Sequence, residues 1–289
     1  MCRCKDYLRK LIHGLFFIIS HIFPYSLTKY MVKLYPPLGN DLPLGMDIWI
    51  DDYLGEFKIA LNTNSVVERS MISGVYEPNT LKVIDKFVNE GDYCIDVGAN
   101  VGAITFALAR KVKPENGKVY AFEPGPSYYK KLIKNISLNP LYENCIVPEN
   151  LGLSDVGGTL QWEEDHRPRS RGNAGIVNSG GITVSVTTID DYVEKNNIFK
   201  VDFIKIDVEG WEDHVLMGAR KTLATLHPKV LLETLESFNE RYNGQLFINL
   251  NSLFKELDYE LFGIDGRGNT IPITDIGHYE STLAYPRMS

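Results

Sequence analysis

Residues 91–102 (GDYCIDVGANVG) set the terms for the whole chain. An apolar run with β-branched Ile95 and Val97 ends in a glycine turn, and residues 103–110 then carry their apolar side chains at helical spacing. Strand, glycine turn and helix in that order open a nucleotide-binding βαβ unit. The turn is not built for a pyrophosphate. Its glycines, Gly98 and Gly102, read G-x-x-x-G instead of G-x-G-x-x-G, and Asp96 stands two positions before the first. A carboxylate there repels phosphate but suits a ligand with an ammonium group, while the helix start offers N–H groups to a carboxylate. S-adenosylmethionine carries both groups.

With 289 residues, 44% of them hydrophobic, the chain can bury one sizeable α/β core plus an extension. The net charge of −7 argues against a general nucleic-acid binder. It is unevenly spread. Residues 1–37 carry six basic side chains against Asp6 alone, which leaves an acidic remainder. Residues 11–23 are apolar but fall short of the roughly 20 needed to span a bilayer. They read as a helix packed on the catalytic domain, an interfacial helix on anionic lipid, or a membrane anchor. Of the four cysteines, Cys94 and Cys145 lie in strand-like runs as small hydrophobes, and Cys2-x-Cys4 lacks a second pair for a zinc site. A reducing, cytoplasmic setting follows, with residues 1–36 in reach of the membrane face. The organisation expected is a helical extension (1–37), a small strand–helix entry region (38–90) and a ligand-binding domain (91–289).

In the entry region, residues 48–50 and 57–61 read as a hairpin around Gly55, and residues 79–88 as a helix with Asn79 as its N-cap. Beyond the glycine turn, residues 118–122 (KVYAF) form a second strand ending at Glu123-Pro124. A carboxylate at that position can accept both hydroxyls of a ribose. A helix over 126–138 and a strand over 145–153 follow, with Pro148 permitting only an edge or irregular position. Ser154-Asp155 comes next, where a short carboxylate can either meet an exocyclic amine of adenine or simply close a turn. Residues 157–164 look like an added strand. Residues 165–181 are polar and aperiodic, with Arg167, Arg169 and Arg171 at alternate positions, and read as a loop over the substrate or a solvated face.

The second informative stretch is VDFIKIDVEGWED, residues 201–213. Its strand places Lys205 and Asp207 on one face, since side chains repeat every two residues. Asp207, Glu209, Glu212 and Asp213 then crowd the carboxyl end of a strand, the edge where open α/β sheets bind ligands. A helix is expected over 211–226. A fifth strand, residues 229–235, ends near Glu233, a helix follows over 245–257, and two roughly antiparallel strands (259–264 and 281–285) complete the sheet.

Taken together, these residues resemble the FkbM family of S-adenosylmethionine-dependent methyltransferases. The resemblance is carried by Gly74-x-Tyr76-Glu77, the Asp96–Gly102 turn, Phe122-Glu123-Pro124, Leu153-Ser154-Asp155, Thr188-Ile189-Asp190-Asp191 and Lys205-Ile206-Asp207-Val208-Glu209-Gly210-x-Glu212, in that order. It implies a Rossmann-like, mostly parallel seven-stranded sheet and O-methylation of sugars, glycolipids or secondary metabolites. It further implies cofactor contacts from Glu77, Asp96, Gly98, Ala99, Asn100, Gly102, Glu123, Pro124, Ser154 and Asp155. Among these, Asp96, Gly98, Asn100 and Gly102 surround the methionyl part, Glu123 the ribose and Asp155 the adenine.

Transfer of a methyl group to an alcohol needs alignment and a proton acceptor. Asp207 is the first candidate base, Glu209 and Glu233 the next, and Lys205 can tune or orient the carboxylate. His214 is a helix histidine of the kind that more often packs than reacts. Asp207, Glu209 and Glu233 could also hold a divalent cation, but a metal-free reaction is the expectation. Two rival readings are a nicotinamide-dependent oxidoreductase, favoured by Glu123 and opposed by the glycine spacing, and a non-catalytic binding module on the same fold.

Overall fold

The computed structural model describes residues 44–74, 76–164, 175–177 and 180–287. The N-terminal extension, including Cys2, Cys4 and residues 11–23, and the three alternate arginines lie outside them. The described residues divide into two compact units, 44–76 and 77–287.

In the first unit, strands β1 (Asp47–Tyr53) and β2 (Phe57–Asn62) pair antiparallel, as the sequence around Gly55 predicts. Alternate residues Ile48, Ile50, Phe57, Ile59 and Leu61 are buried. Helix α1 (Val66–Ser73) starts where the Ser65 hydroxyl accepts the Glu68 N–H and stops at left-handed Gly74.

The second unit holds an eight-stranded sheet in the order β13-β12-β14-β11-β10-β3-β4-β5. The strands are β3 (Tyr93–Val97), β4 (Lys118–Phe122), β5 (Ile146–Glu149), β10 (Phe203–Ile206), β11 (Lys229–Glu233), β12 (Tyr259–Ile264), β13 (Thr270–Ile273) and β14 (Ser281–Pro286). Five of them, β11-β10-β3-β4-β5, are parallel neighbours, and β14 inserts antiparallel between β11 and β12. The expected seven strands are all present. The eighth, β13, is added as an edge hairpin with β12, because the turn at residues 265–269 folds the chain back.

Helices α2 (Pro78–Phe87), α3 (Ala103–Val112), α4 (Pro126–Ser137), α5 (Ile189–Lys195), α6 (Glu212–Met217), α7 (Arg220–Leu226), α8 (Glu236–Arg241) and α9 (Gln245–Glu256) complete the unit. From β3 the chain winds towards β5, and from β10 it winds the other way to β11. With right-handed crossovers, α3 and α4 then cover one face and α6 and α7 the other. The core runs through Ile95, Val97, Ile204, Ile206, Val230 and Leu232 on the strands and Val215, Leu216, Leu223, Leu250 and Phe254 on the helices. Each such side chain contributes roughly 1.5–3 kcal/mol on burial.

Four expected boundaries are corrected. The strand over 145–153 divides: β5 pairs in the main sheet, with Pro148 in its edge strand, and β6 (Gly152–Leu153) joins a second sheet. That sheet, ordered β6-β9-β7-β8, contains β7 (Gly158–Glu163), β8 (Gly175–Val177) and β9 (Ile182–Thr187), so part of the presumed loop is a strand. The helix over 211–226 breaks into α6 and α7 at Gly218-Ala219, where a Cβ on Gly218 would lie 2.0 Å from the Ser154 carbonyl oxygen. Finally, Asn79 lies inside α2 rather than capping it, because Pro78 takes the first turn and Glu77 stands at the cap.

Candidate active site

β3 and β10 are adjacent and their following helices diverge, which makes their carboxyl ends the switch point of the sheet. The Gly98–Gly102 turn rises there. Gly98, Asn100 and Gly102 all have positive φ (86°, 51° and 102°). Only glycine fits at 98, since a Cβ would lie 2.0 Å from the Asp207 carbonyl oxygen. The N–H groups of Gly98 and Ala99 both donate to the Phe122 carbonyl, and Asn135 donates to that of Val101. The turn is therefore anchored from below. Asp96, 1% exposed, accepts from the Thr105 hydroxyl at 2.6 Å, and burial raises its pKa to about 6. The Asn100 side-chain oxygen is buried without a hydrogen-bond partner among the described residues.

At the end of β4, Glu123 spans the turn. One carboxylate oxygen accepts the Asn100 N–H and the other the Gly125 N–H, each at 2.8 Å. Burial, with Glu164 and Asp96 nearby, pushes its pKa up to about 8. Pro124 is fixed through its carbonyl, which accepts from Asn150. Further along the edge, the Ser154 hydroxyl accepts from the Trp211 indole at 3.1 Å and donates to Asp155 at 2.9 Å. His214 Nδ1 lies 3.3 Å from the same Asp155 oxygen, and its ring stacks on Trp211 at 3.8 Å between centroids. Burial opposes ionisation of Asp155, but the hydrogen bonds from Ser154 and His214 outweigh it and hold its pKa below the usual range. His214 thus belongs to the Asp155 corner, a placement its position in the sequence did not disclose.

The end of β10 carries the charge. Lys205 is 3% exposed, and its ammonium lies 2.9 Å from the Asp207 carboxylate. A buried lysine without such a partner is costly, and removing one member of a buried pair costs about 3–5 kcal/mol. Burial disfavours the lysine charge, but Asp207 foremost, with Glu77 and Asp96, holds its pKa above the ordinary value. For Asp207 burial works upwards. Lys205, together with hydrogen bonds to Glu233 and Glu77, reverses the balance and keeps the carboxylate ionised. Burial and Asp207 push Glu233 up to about 9, so it is the protonated member that donates. Glu209 rises to about 7 through burial and Asp207, and its carbonyl accepts from Arg241 at 2.9 Å. Glu77, Asn100 and Glu209 are three non-glycine residues with left-handed backbone, and the last is φ 57°. Such strain costs about 1–3 kcal/mol per residue and collects at functional sites.

Two of the four clustered acids face elsewhere. Glu212 is fully buried, accepts the Val208 and Gly210 N–H groups, and braces the turn that presents Glu209. Asp213 accepts from Asn249 at 2.6 Å. Glu77, placed with the cofactor residues by sequence, stands beside Lys205 and Asp207.

The residues suit an adenosyl amino acid. The unpartnered Asn100 oxygen and buried Asp96 are acceptors for an ammonium, Glu123 can accept hydroxyl protons, and α3 starts beside the turn. Among the described residues no group of three His, Cys, Asp or Glu side chains is arranged to hold a metal ion, and no helix is long and apolar enough to cross a membrane. A cleft of about 700 Å³ between α9 and β12–β13 includes Asp258 and Arg287, at the amino edge of the sheet, and is separate from this site.

A family model described as the methyltransferase FkbM domain matches residues 96–261. The chain is 27% identical over 151 residues to the hexuronic acid methyltransferase AglP of Haloferax volcanii, covering 52% of this chain and 59% of that protein. It is 23% identical over 228 residues to the 2-O-methyltransferase NoeI of Sinorhizobium fredii, covering 72% and 86%. The match to the first of these spans about three fifths of that relative's length. A crystal structure of methyltransferase FkbM from Methylobacillus flagellatus superimposes with a TM-score of 0.47 at 14% identity, over 76% of this chain and 54% of that one.

Proposed function

Because the chain belongs to the FkbM methyltransferase family, we propose that it methylates a hydroxyl of a sugar, glycolipid or secondary metabolite, with S-adenosylmethionine as donor. Family membership sets aside the nicotinamide-dependent alternative. The observation that carries the reading is the contact between Gly98 and the Asp207 main chain, which joins the donor turn and the acidic strand end into one site.

When bound, S-adenosylmethionine supplies an electrophilic methyl group on a sulfonium centre. Gly98, Ala99, Asn100 and Gly102 would form the wall against its methionyl part, with Asp96 beneath, Glu123 and Pro124 along the ribose and Ser154 and Asp155 at the adenine. Asp207 is the proton acceptor. A carboxylate held at low pKa is a weak base towards a free alcohol. It suffices here because the hydroxyl turns strongly acidic as its oxygen forms the new bond, so the proton leaves late. Lys205 keeps Asp207 ionised and oriented, the protonated Glu233 holds it by a hydrogen bond, and Glu209 is the reserve acceptor on the same edge. No metal is required by this scheme. The basic residues 1–36 would be in reach of the cytoplasmic membrane face.

Asp207→Asn tests the assignment. Transfer of labelled methyl from S-adenosylmethionine into a fractionated glycan and lipid extract should fall at least 100-fold, while cofactor affinity stays within about threefold. Collapse of affinity would instead make Asp207 a cofactor ligand, and transfer undiminished by the substitution would remove it from the reaction.

A further inference from the structure

The second sheet ends beside the Glu123 corner, and neither the sequence motifs nor the mechanism uses what it brings. Strand β7 pairs with β9 in a register that sets Trp162 opposite Ile182, and with β8 so that Trp162 also faces Ile176. At Gly181 a Cβ would lie 2.3 Å from the Trp162 carbonyl oxygen, so the absence of a side chain there lets the two strands close. One residue beyond the strand, Glu164 accepts the Ser127 N–H at 3.0 Å and ties the sheet to the first turn of α4.

These contacts converge on Gly125. A Cβ on it would lie 2.7 Å from a Glu164 carboxylate oxygen, 2.9 Å from a Glu123 carboxylate oxygen and 3.0 Å from the Trp162 indole nitrogen. The indole nitrogen and the Glu123 oxygen are therefore within about 6 Å of each other. That indole N–H is buried and has no hydrogen-bond partner among the described residues. A buried donor left unpaired costs about 1–3 kcal/mol, so its retention at a ligand-facing corner asks for an acceptor. Both Glu123 oxygens and one of Glu164 accept main-chain N–H groups, so the corner is rich in acceptors. Each hydroxyl of a diol also has lone pairs that need a donor.

We propose that Trp162 completes the ribose subsite: its indole N–H donates to a hydroxyl oxygen of the nucleoside whose protons Glu123 receives, and the β7 end of the second sheet, with Glu164, forms the outer wall. The inference rests on the donor reading above and names a binding residue on an element outside the glycine-turn motif.

The test uses the full chain, S-adenosylhomocysteine and its 2′,3′-dideoxy counterpart. Trp162→Phe keeps an aromatic ring, smaller than the indole, and deletes the N–H. It should weaken S-adenosylhomocysteine about 5–20-fold, the loss of one buried hydrogen bond, and weaken the dideoxy compound less than twofold. Equal affinity of variant and wild type for S-adenosylhomocysteine overturns the proposal, and so does an equal loss for both compounds. A second readout needs no folded variant at position 162. The chain has three tryptophans, and the Trp162 indole N–H resonance, assigned by substituting Trp49 and Trp211, should shift with S-adenosylhomocysteine but not with the dideoxy compound. No shift with S-adenosylhomocysteine contradicts it. Failure of the wild type to bind S-adenosylhomocysteine at all would refute the donor reading itself, an outcome distinct from these.

Discussion

Lys205 and Asp207 show how one strand end can hold buried charge amid several further acids. The pair is neutral as a unit, so its burial is tolerable, and the surplus acids around it relieve their repulsion by holding protons. Asp96 at about 6, Glu209 and Glu212 at about 7, Glu123 at about 8 and Glu233 at about 9 are all raised, chiefly by burial. The sign for stability follows from proton counts. A carboxyl whose folded pKa lies above its unfolded value binds more protons folded than unfolded, so its contribution is full below the unfolded pKa and fades as pH rises towards the folded one. Asp207 and Asp155 are lowered and lose their contribution only in acid, while Lys205 is raised and loses its own only in strong alkali. Between pH 6 and 9 the raised set dominates. Thermal melts of the ligand-free protein should therefore show Tm falling steadily across that range; a flat or rising Tm would contradict the assigned protonation states.

At the scale of elements, what could be read in advance was what local chemistry dictates. The strand–turn–helix at residues 91–112, the pairing of Lys205 with Asp207, and the antiparallel final strands follow from side-chain spacing. What could not be read depended on distant partners. Nothing in residues 211–226 announces a break, because Gly218 is helix-compatible until the Ser154 main chain packs on it. His214 packs, as expected of a helix histidine, but its partners were not legible: it stacks on Trp211 and meets Asp155, 59 positions earlier. Trp162 was missed for a similar reason, since its importance lies in what surrounds Gly125. Gly218→Ala tests the break directly. With a Cβ 2.0 Å from a carbonyl oxygen, the helix junction must move, and the Ser154–Asp155 corner with it. We expect a loss of about 1–3 kcal/mol in stability, typical of overpacking, and weaker binding of adenosine-containing ligands than of methionine. Denaturant titration and calorimetry would register both; wild-type values in each would show the contact to be dispensable.

For the whole molecule, the parallel sheet does one thing above all: it brings the ends of β3, β4 and β10 to a common edge and turns their helices away. The Gly98–Gly102 turn, Glu123 and the acidic strand end thereby meet although more than 100 residues separate Asp96 from Asp207. The central claim is that this edge is one adenosyl site facing a hydroxyl acceptor. Calorimetric titration with S-adenosylmethionine tests it most directly, run on the wild type and on Glu123→Ala. The account predicts saturable one-to-one binding, weakened at least 10-fold when Glu123 is removed and accompanied by proton release at pH 7, because a cationic ligand favours the ionised forms of the raised carboxyls. Absence of saturable binding, or binding indifferent to Glu123, would contradict it.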